Sequence, residues 1–281
     1  MLSTKLATAA KQIRYYTLKE LRELGFGHFG GSLSIVEALA VIYGKHLNID
    51  AQWANDPNRG YFVLSKGHGG PALYATLFLK GFYSEDVLYT LNQNGTTLPS
   101  HPDRNLTPGV EMTCGSLGQG ISAATGIAYG NKLAGRNNYT YCIVGDGELN
   151  EGQCWEAFQF ASHHKLENLI VLIDDNKKQL DGPTKEIIDP LDFVEKLTAF
   201  GFDTVKVDGS SVDAIDKAIE NAKENNGKPQ AIVLDTIKGQ GVKYIEEKAD
   251  NHHMRPNEED WKAINQAIEE LEKELEGVLT V

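Results

Sequence analysis

Two apolar runs, each closing on a hard oxygen ligand, constrain this chain more than any other feature. The first, Cys142-Ile-Val144, ends in Gly145-Asp146-Gly147. The second, Leu169-Ile-Val-Leu-Ile173, ends in Asp174-Asp175-Asn176, with Asn176 thirty positions after Asp146. One helix-length segment lies between them, which describes a parallel β-α-β unit. Parallel strands expose their C-terminal ends on one edge of the sheet, where open α/β sheets bind ligands. Asp146 and Asn176 are therefore expected together on that edge. A carboxylate and an amide oxygen suit Mg²⁺, with Ca²⁺ or Mn²⁺ as substitutes, shared with phosphate oxygens. Gly145 and Gly147 remove side chains where a diphosphate must approach backbone N–H groups. Gly-Asp-Gly alone is an ordinary strand-end turn; the second strand at the right distance adds the metal reading.

The rest of the chain extends the same alternation. Helices are expected over 3–24, 33–47 (capped by Ser32 or Ser34), 71–80, 117–134, 152–165, 189–200 and 211–225. Strands are expected at 61–64, 140–144, 168–174, 204–207 and 231–235, and 93–116 reads as loop. This predicts an α/β fold: an open parallel sheet with helices on both faces. Residues 1–256 form the expected ligand-binding domain. Over 257–281, Trp261, Ile264, Ile268, Leu271 and Leu275 recur at helical spacing, so an amphipathic helix is expected to dock on the chain's own surface.

Charge excludes some functions. There are 27 Lys and Arg against 39 Asp and Glu, a net charge of −12, which disfavours non-specific binding to nucleic acid or anionic membrane. Phosphate affinity must then be local. Cys114, Cys142 and Cys154 show no CxxC spacing and suggest no disulfide framework. Residues 1–24 carry charges throughout, unlike a secretory signal. No stretch approaches the ~18 apolar residues of a membrane span. The expectation is a cytoplasmic protein.

Of the eight histidines, His28, His68, His101 and His252 sit in turns suited to binding loops, whereas His46, His163 and His164 read as packing or surface residues. Gly25-Phe-Gly-His-Phe-Gly30 matches G-x-G-x-x-G but follows a helix, so it lacks the context of a dinucleotide site.

Taken together, the segment 142–182 resembles the thiamine diphosphate signature of transketolases. The resemblance extends through Gly27-His28, Leu64-Ser-Lys-Gly-His68, Ser100-His101-Pro102, Pro108 to Gly120, Gly239-Gln-Gly-Val242 and His252. It implies a metal held by Asp146, Asn176 and the backbone carbonyl of Lys178. It implies thiamine diphosphate beside His68, Gly115, Ser116, Leu117, Gly147, Glu148, Asn176 and His252. It implies catalytic roles for His28, His101 and His252 in moving a two-carbon ketol unit from a ketose phosphate such as xylulose 5-phosphate to an aldose phosphate such as ribose 5-phosphate. Glu151 and Glu156 match acids that cross the dimer interface in the family; both also fit as first-turn acids favoured by a helix dipole.

The chain departs from better-known relatives at Ser116 (usually proline), at Lys178 (usually apolar) and around Asn251-His-His-Met-Arg255, where His253 is the alternative site histidine. Asp181-Gly182 reads as a turn and Lys238-Gly-Gln-Gly241 as a mobile loop or lid. The resemblance also implies a partner chain supplying the pyrimidine-binding half and its activating glutamate, in an assembly of two copies of each. The alternatives are a 2-oxoacid dehydrogenase α-subunit, a related enzyme for another sugar, and a non-catalytic subunit retaining the fold.

Overall fold

Five segments, four of them apolar and one edge strand polar, pair into one wholly parallel sheet in the computed structural model, which describes residues 2–47, 49–51, 56–224 and 227–278. In chain order the elements are α1 (Leu2–Leu24), α2 (Phe29–Leu33), α3 (Val36–Val41) running into a π-helical turn (Ile42–His46), β1 (Tyr61–Leu64), α4 (Gly70–Leu79), α5 (Glu85–Leu88) and α6 (Gln119–Leu133). Then come β2 (Thr140–Gly145), α7 (Gly152–His163), β3 (Leu169–Asp175), a small hairpin of β4 (Lys178–Gln179) and β5 (Gly182–Pro183), α8 (Thr184–Ile187) and α9 (Phe193–Ala199). The chain closes with β6 (Asp203–Asp208), α10 (Val212–Ala222), β7 (Gln230–Asp235), α11 (Lys243–Glu247) and α12 (Glu258–Glu274). The sheet order is β1-β2-β3-β7-β6.

Strand side chains alternate between the faces, and the core divides accordingly. Phe62, Leu64, Tyr141, Ile143, Ile170, Leu172, Ile232 and Leu234 join a cluster with α1, α3, α4, α10 and α12. Val63, Cys142, Val144, Val171, Ile173, Ala231 and Val233 join a second cluster with α6, α7 and α9. Both faces are covered, so β2 and β3 are buried along their whole length.

The terminal helix docks as its stripe requires. Ile264, Ile268 and Leu275 are buried, Trp261 and Leu271 pack beside them, and Asn257 and Asp260 close a capping box at the N-terminus. The cysteines are buried free thiols. No described helix is long and apolar enough to cross a membrane.

Three expectations need correction. The helix over 33–47 is broken between Leu33 and Val36, and neither serine caps it. Ser32 Oγ donates to the His28 carbonyl at 2.6 Å, and Ser34 Oγ donates to Asp174 at 2.7 Å. The break turns Ser34 onto a buried carboxylate. The helix over 189–200 begins only at Phe193, because Pro190 and the left-handed Leu191 (φ 54°) hold the chain out of helix until Asp192 caps it. The short helices α5, α8 and α11 have no counterpart among the expected elements. Position 225, the expected end of α10, and residues 279–281 lie outside the described residues.

Candidate functional site

Strands β2, β3 and β7 end within a residue of one another, Gly145 opposite Asp174 and Asp175 opposite Asp235, and β1 stops two residues earlier, Leu64 opposite Ile143. Their exits form the floor of a cleft of about 430 Å³, with walls from the chain around His28, the long loop bearing His101, the β4–β5 hairpin and His252. Asp181 lies in the turn at the tip of that hairpin with Leu180, whereas Gly182 already opens β5, paired with Gln179.

Asp146 and Asn176 meet on this edge. Asp146 Oδ2 accepts from the Lys177 N–H at 2.7 Å, and Oδ1 accepts from the Gly147 N–H at 2.7 Å. Asn176 Nδ2 donates to Asp174 at 2.8 Å. Asp174 can only accept, so the amide is turned with Oδ1 away from it, where it accepts from the Lys178 N–H at 3.1 Å. Lys178 belongs to the same lining, and its carbonyl accepts from Lys238 Nζ at 2.9 Å.

Asp174 is wholly buried and accepts four hydrogen bonds, from Lys66 Nζ (2.5 Å), Ser34, Asn176 and Thr236. Burial opposes its ionisation, but the Lys66 ammonium and these hydroxyls hold its carboxyl below the usual range. Asp146 has no such cation against it. Burial, then the Asp174 charge, push its carboxyl above the ordinary carboxylate range.

That imbalance is the test of fit for a divalent cation. Among the described residues no three His, Cys, Asp or Glu side chains form a metal cluster, so a cation here needs amide, backbone and phosphate oxygens as well. Asp146, the Asn176 Oδ1 and the Lys178 carbonyl are such a hard-oxygen set, and a cation would relieve the carboxylate's electrostatic discomfort. The residues fit the group.

Glu148 also borders the cleft, but its carboxylate is occupied. It accepts from Ser65 Oγ, from the Gly118 N–H at 2.8 Å and from the Gly145 N–H at 3.0 Å. Burial raises its pKa against those bonds. These bonds tie Glu148 to the turn after β1, the loop before α6 and the end of β2. Gly115, Leu117 and Gly147 line the cleft; Ser116 lies exposed outside the lining.

The four expected histidines converge. His28 lies 5.6 Å from His101, 5.7 Å from His68 and 5.4 Å from His252, centroid to centroid, and His68 lies 4.7 Å from His252. His253 joins them, 4.7 Å from His28. Burial, reinforced by neighbouring histidines and the Lys238 and Lys66 ammonium groups, lowers the pKa of His28 to about 3. Burial and Lys238 do the same for His252, to about 3, and burial lowers His68 and His101. These rings are neutral at pH 7, each offering one donor and one acceptor. His46 is elsewhere, between Asp216 and Lys223, and His163 and His164 stack with one another, His164 also on Tyr129 and Phe160.

Two lysines given no site role from the sequence also reach the cleft. Lys66 lies beneath the cleft, and Lys238 places its ammonium 2.9 Å from the Lys178 carbonyl and 2.8 Å from His252 Nδ1. Burial and the nearby Lys66 charge lower the Lys238 pKa. Both follow closely on strand ends, the signal that also flags His68. The Lys238–Gly241 loop is no lid. Gln240 is buried and donates to Glu37 and the Gly209 carbonyl, while Arg14, paired with Glu37 at 2.6 Å, donates to the Gln240 carbonyl.

The family profile for the transketolase thiamine diphosphate binding domain matches residues 6–273. This chain belongs to the transketolase family. It is 50% identical over 267 residues to a 6-deoxy-6-sulfo-D-fructose transketolase subunit of Clostridium sp., covering 94% of this chain and 95% of that protein. It is 39% identical to one subunit of the apulose-4-phosphate transketolase of Actinobacillus succinogenes, covering 88% of each. The fold superposes on transketolase from Leishmania mexicana with a TM-score of 0.85 and 30% identity, covering 97% of this chain and 46% of that one. The chain thus spans less than half the length of such solved transketolases and carries their thiamine diphosphate-binding domain.

Proposed function

We propose that this chain is the diphosphate-holding subunit of a two-chain transketolase, moving a two-carbon ketol unit from a ketose to an aldose. The observation that carries the reading is the convergence of Asp146 and Asn176 on one sheet edge, with Lys178 and four histidines lining the same cleft. Asp146, Asn176 Oδ1 and the Lys178 carbonyl hold a divalent cation, Mg²⁺ first, with Ca²⁺ or Mn²⁺ able to replace it. His68, His252 and Lys238 donate to diphosphate oxygens, with Gly115, Leu117 and Gly147 giving the backbone room. Thiamine diphosphate, when bound, would supply the carbon-nucleophile chemistry that ketol transfer requires. His28 and His101 take a proton from a substrate hydroxyl and return it, and His252, whose Nδ1 accepts from Lys238, adds a donating Nε2–H beside them. Ser116, Glu148 and the crossing acids Glu151 and Glu156 act by shaping loops and interfaces.

The donor is a ketose with an anion at its far end. The names of the Clostridium and Actinobacillus relatives point to sulfo-sugar or branched-sugar phosphate chemistry; xylulose 5-phosphate and ribose 5-phosphate are the generic pair to assay beside these. A second polypeptide supplies the aminopyrimidine-binding domain and its activating glutamate, in keeping with relatives of this length being named as subunits. Self-association to two copies of each chain is supported by an exposed face on α6 and α7. There Gly126 and Gly130 have open space, and Leu133, Glu156 and Phe160 are exposed.

The test is to assay ketol transfer by this chain alone, by a partner carrying the pyrimidine domain alone, and by the mixture, with Mg²⁺ and thiamine diphosphate. Activity is expected only in the mixture. Full turnover by this chain alone sinks the two-chain reading.

A further inference from the structure

The stretch 251–255 builds one wall of the cleft mouth. Gly27 and Met254 form an antiparallel bridge, each N–H donating to the other's carbonyl at 3.0 and 2.8 Å. Neighbouring residues in such a pair project to the opposite face from the bridged ones. Phe26, His28, His253 and Arg255 therefore share one face, with His28 across from His253 and Phe26 across from Arg255. The contacts agree. The His28 and His253 rings are 4.7 Å apart, the Arg255 guanidinium lies 5.3 Å over Phe26, and Phe26 is 5.8 Å from His253.

This face runs from His28, inside the cleft, outward to exposed Arg255. Among the described residues neither the His253 ring nor the Arg255 guanidinium has a hydrogen-bond or carboxylate partner. That is notable in a chain with 39 acidic side chains against 27 basic ones. Lys178 and Lys238, by contrast, are bonded to carbonyls of the chain. Stacking on Phe26 orients the guanidinium plane without using any of its N–H donors.

We propose that His253 and Arg255 form an anion-reading rim that selects sugars carrying a phosphate or sulfonate at the end remote from the reacting carbonyl. The proposal rests on the ketol-transfer reading, which places the reacting end of the sugar against His28. The sugar then extends outward along this face. A guanidinium presents parallel N–H donors to a tetrahedral oxyanion, and the His253 ring adds a further donor.

The experiment uses the assembled two-chain enzyme and three donors: xylulose 5-phosphate, 6-deoxy-6-sulfofructose and neutral D-xylulose. For Arg255→Ala and His253→Gln, kcat/KM on the anionic donors is expected to fall about 10- to 100-fold further than on the neutral one, the range for losing a hydrogen bond to a charged group. The change should appear mainly in KM, and Arg255→Lys should recover part of it. A selective loss with only one anionic donor assigns the rim to phosphate or to sulfonate. Equal losses on all three donors, or none, overturn the rim while leaving ketol transfer in place. Wild-type assembly that binds cofactor yet transfers from no donor removes the functional reading and this proposal with it.

Discussion

At the scale of single residues, two buried acids in one chain lead to opposite predictions. Asp146 sits at the sheet edge with its carboxyl pushed up by burial and by Asp174. Asp146→Ala removes an acceptor from the Gly147 and Lys177 N–H groups but also removes a costly buried charge, so the unliganded fold should keep its stability to within about 2 kcal/mol. The assembled variant should leave a desalting column without thiamine diphosphate, while the wild type retains it in Mg²⁺. Unfolding of the variant would instead make Asp146 a structural residue. Glu20, on α1, is wholly buried, and neither carboxylate oxygen has a hydrogen-bond partner. Burial raises its pKa well above the ordinary value. A raised folded pKa means its proton-linked stability is complete below the unfolded carboxylate range. That stability is lost as pH rises towards the folded value. Glu20→Met should therefore stabilise the chain by about 1–3 kcal/mol at pH 8, and the gain should shrink towards pH 4. Urea melts at both pH values check this; a variant less stable at pH 8 would mean that Glu20 has a partner there.

At the scale of elements, the loop after β7 is aimed from a distance. Arg14 on α1 and Glu37 on α3 form a buried pair, and together they hold Gln240 by its carbonyl and its amide. This clamp holds the loop that carries Lys238 into the cleft. Gly241 has φ 84°, and a Cβ there would fall on the Arg14 guanidinium. Gly241→Ala should cost about 1–3 kcal/mol from backbone strain alone, lowering the urea midpoint with little change in slope. Because Lys238 moves with the loop, cofactor affinity should fall in the same variant. An unchanged midpoint would show that Arg14 yields at no cost.

At the scale of the whole molecule, sequence periodicity carried far because each apolar strand is covered on both faces. The runs 140–144 and 168–174 read directly as the buried strands β2 and β3, and the stripe of Ile264, Ile268 and Leu275 reads directly as the docked α12. The break at Ser34 and the late start of α9 were not legible. Each depends on a contact or a φ value set by tertiary packing: Ser34 on Asp174, Leu191 in the left-handed region. The lid reading of 238–241 failed for a similar reason, since glycines mark conformational freedom while Arg14 and Glu37, more than two hundred residues away, remove it. Among the site residues, His28, His68, His101, Asp146 and Asn176 stood out because their types and neighbours betray them. Lys66 and Lys238 did not, because a lysine beside a glycine most often faces water.

The order of residues alone determined a parallel α/β sheet and which strand ends carry Asp146 and Asn176, because local periodicity and turn chemistry are properties of short segments. Tertiary structure alone decided that Lys66 and Lys238 enter the cleft, that Glu148 binds loops together, and that His253 and Arg255 flank His28. Those juxtapositions join segments up to about 225 residues apart, and only the packing of the whole sheet brings them within reach.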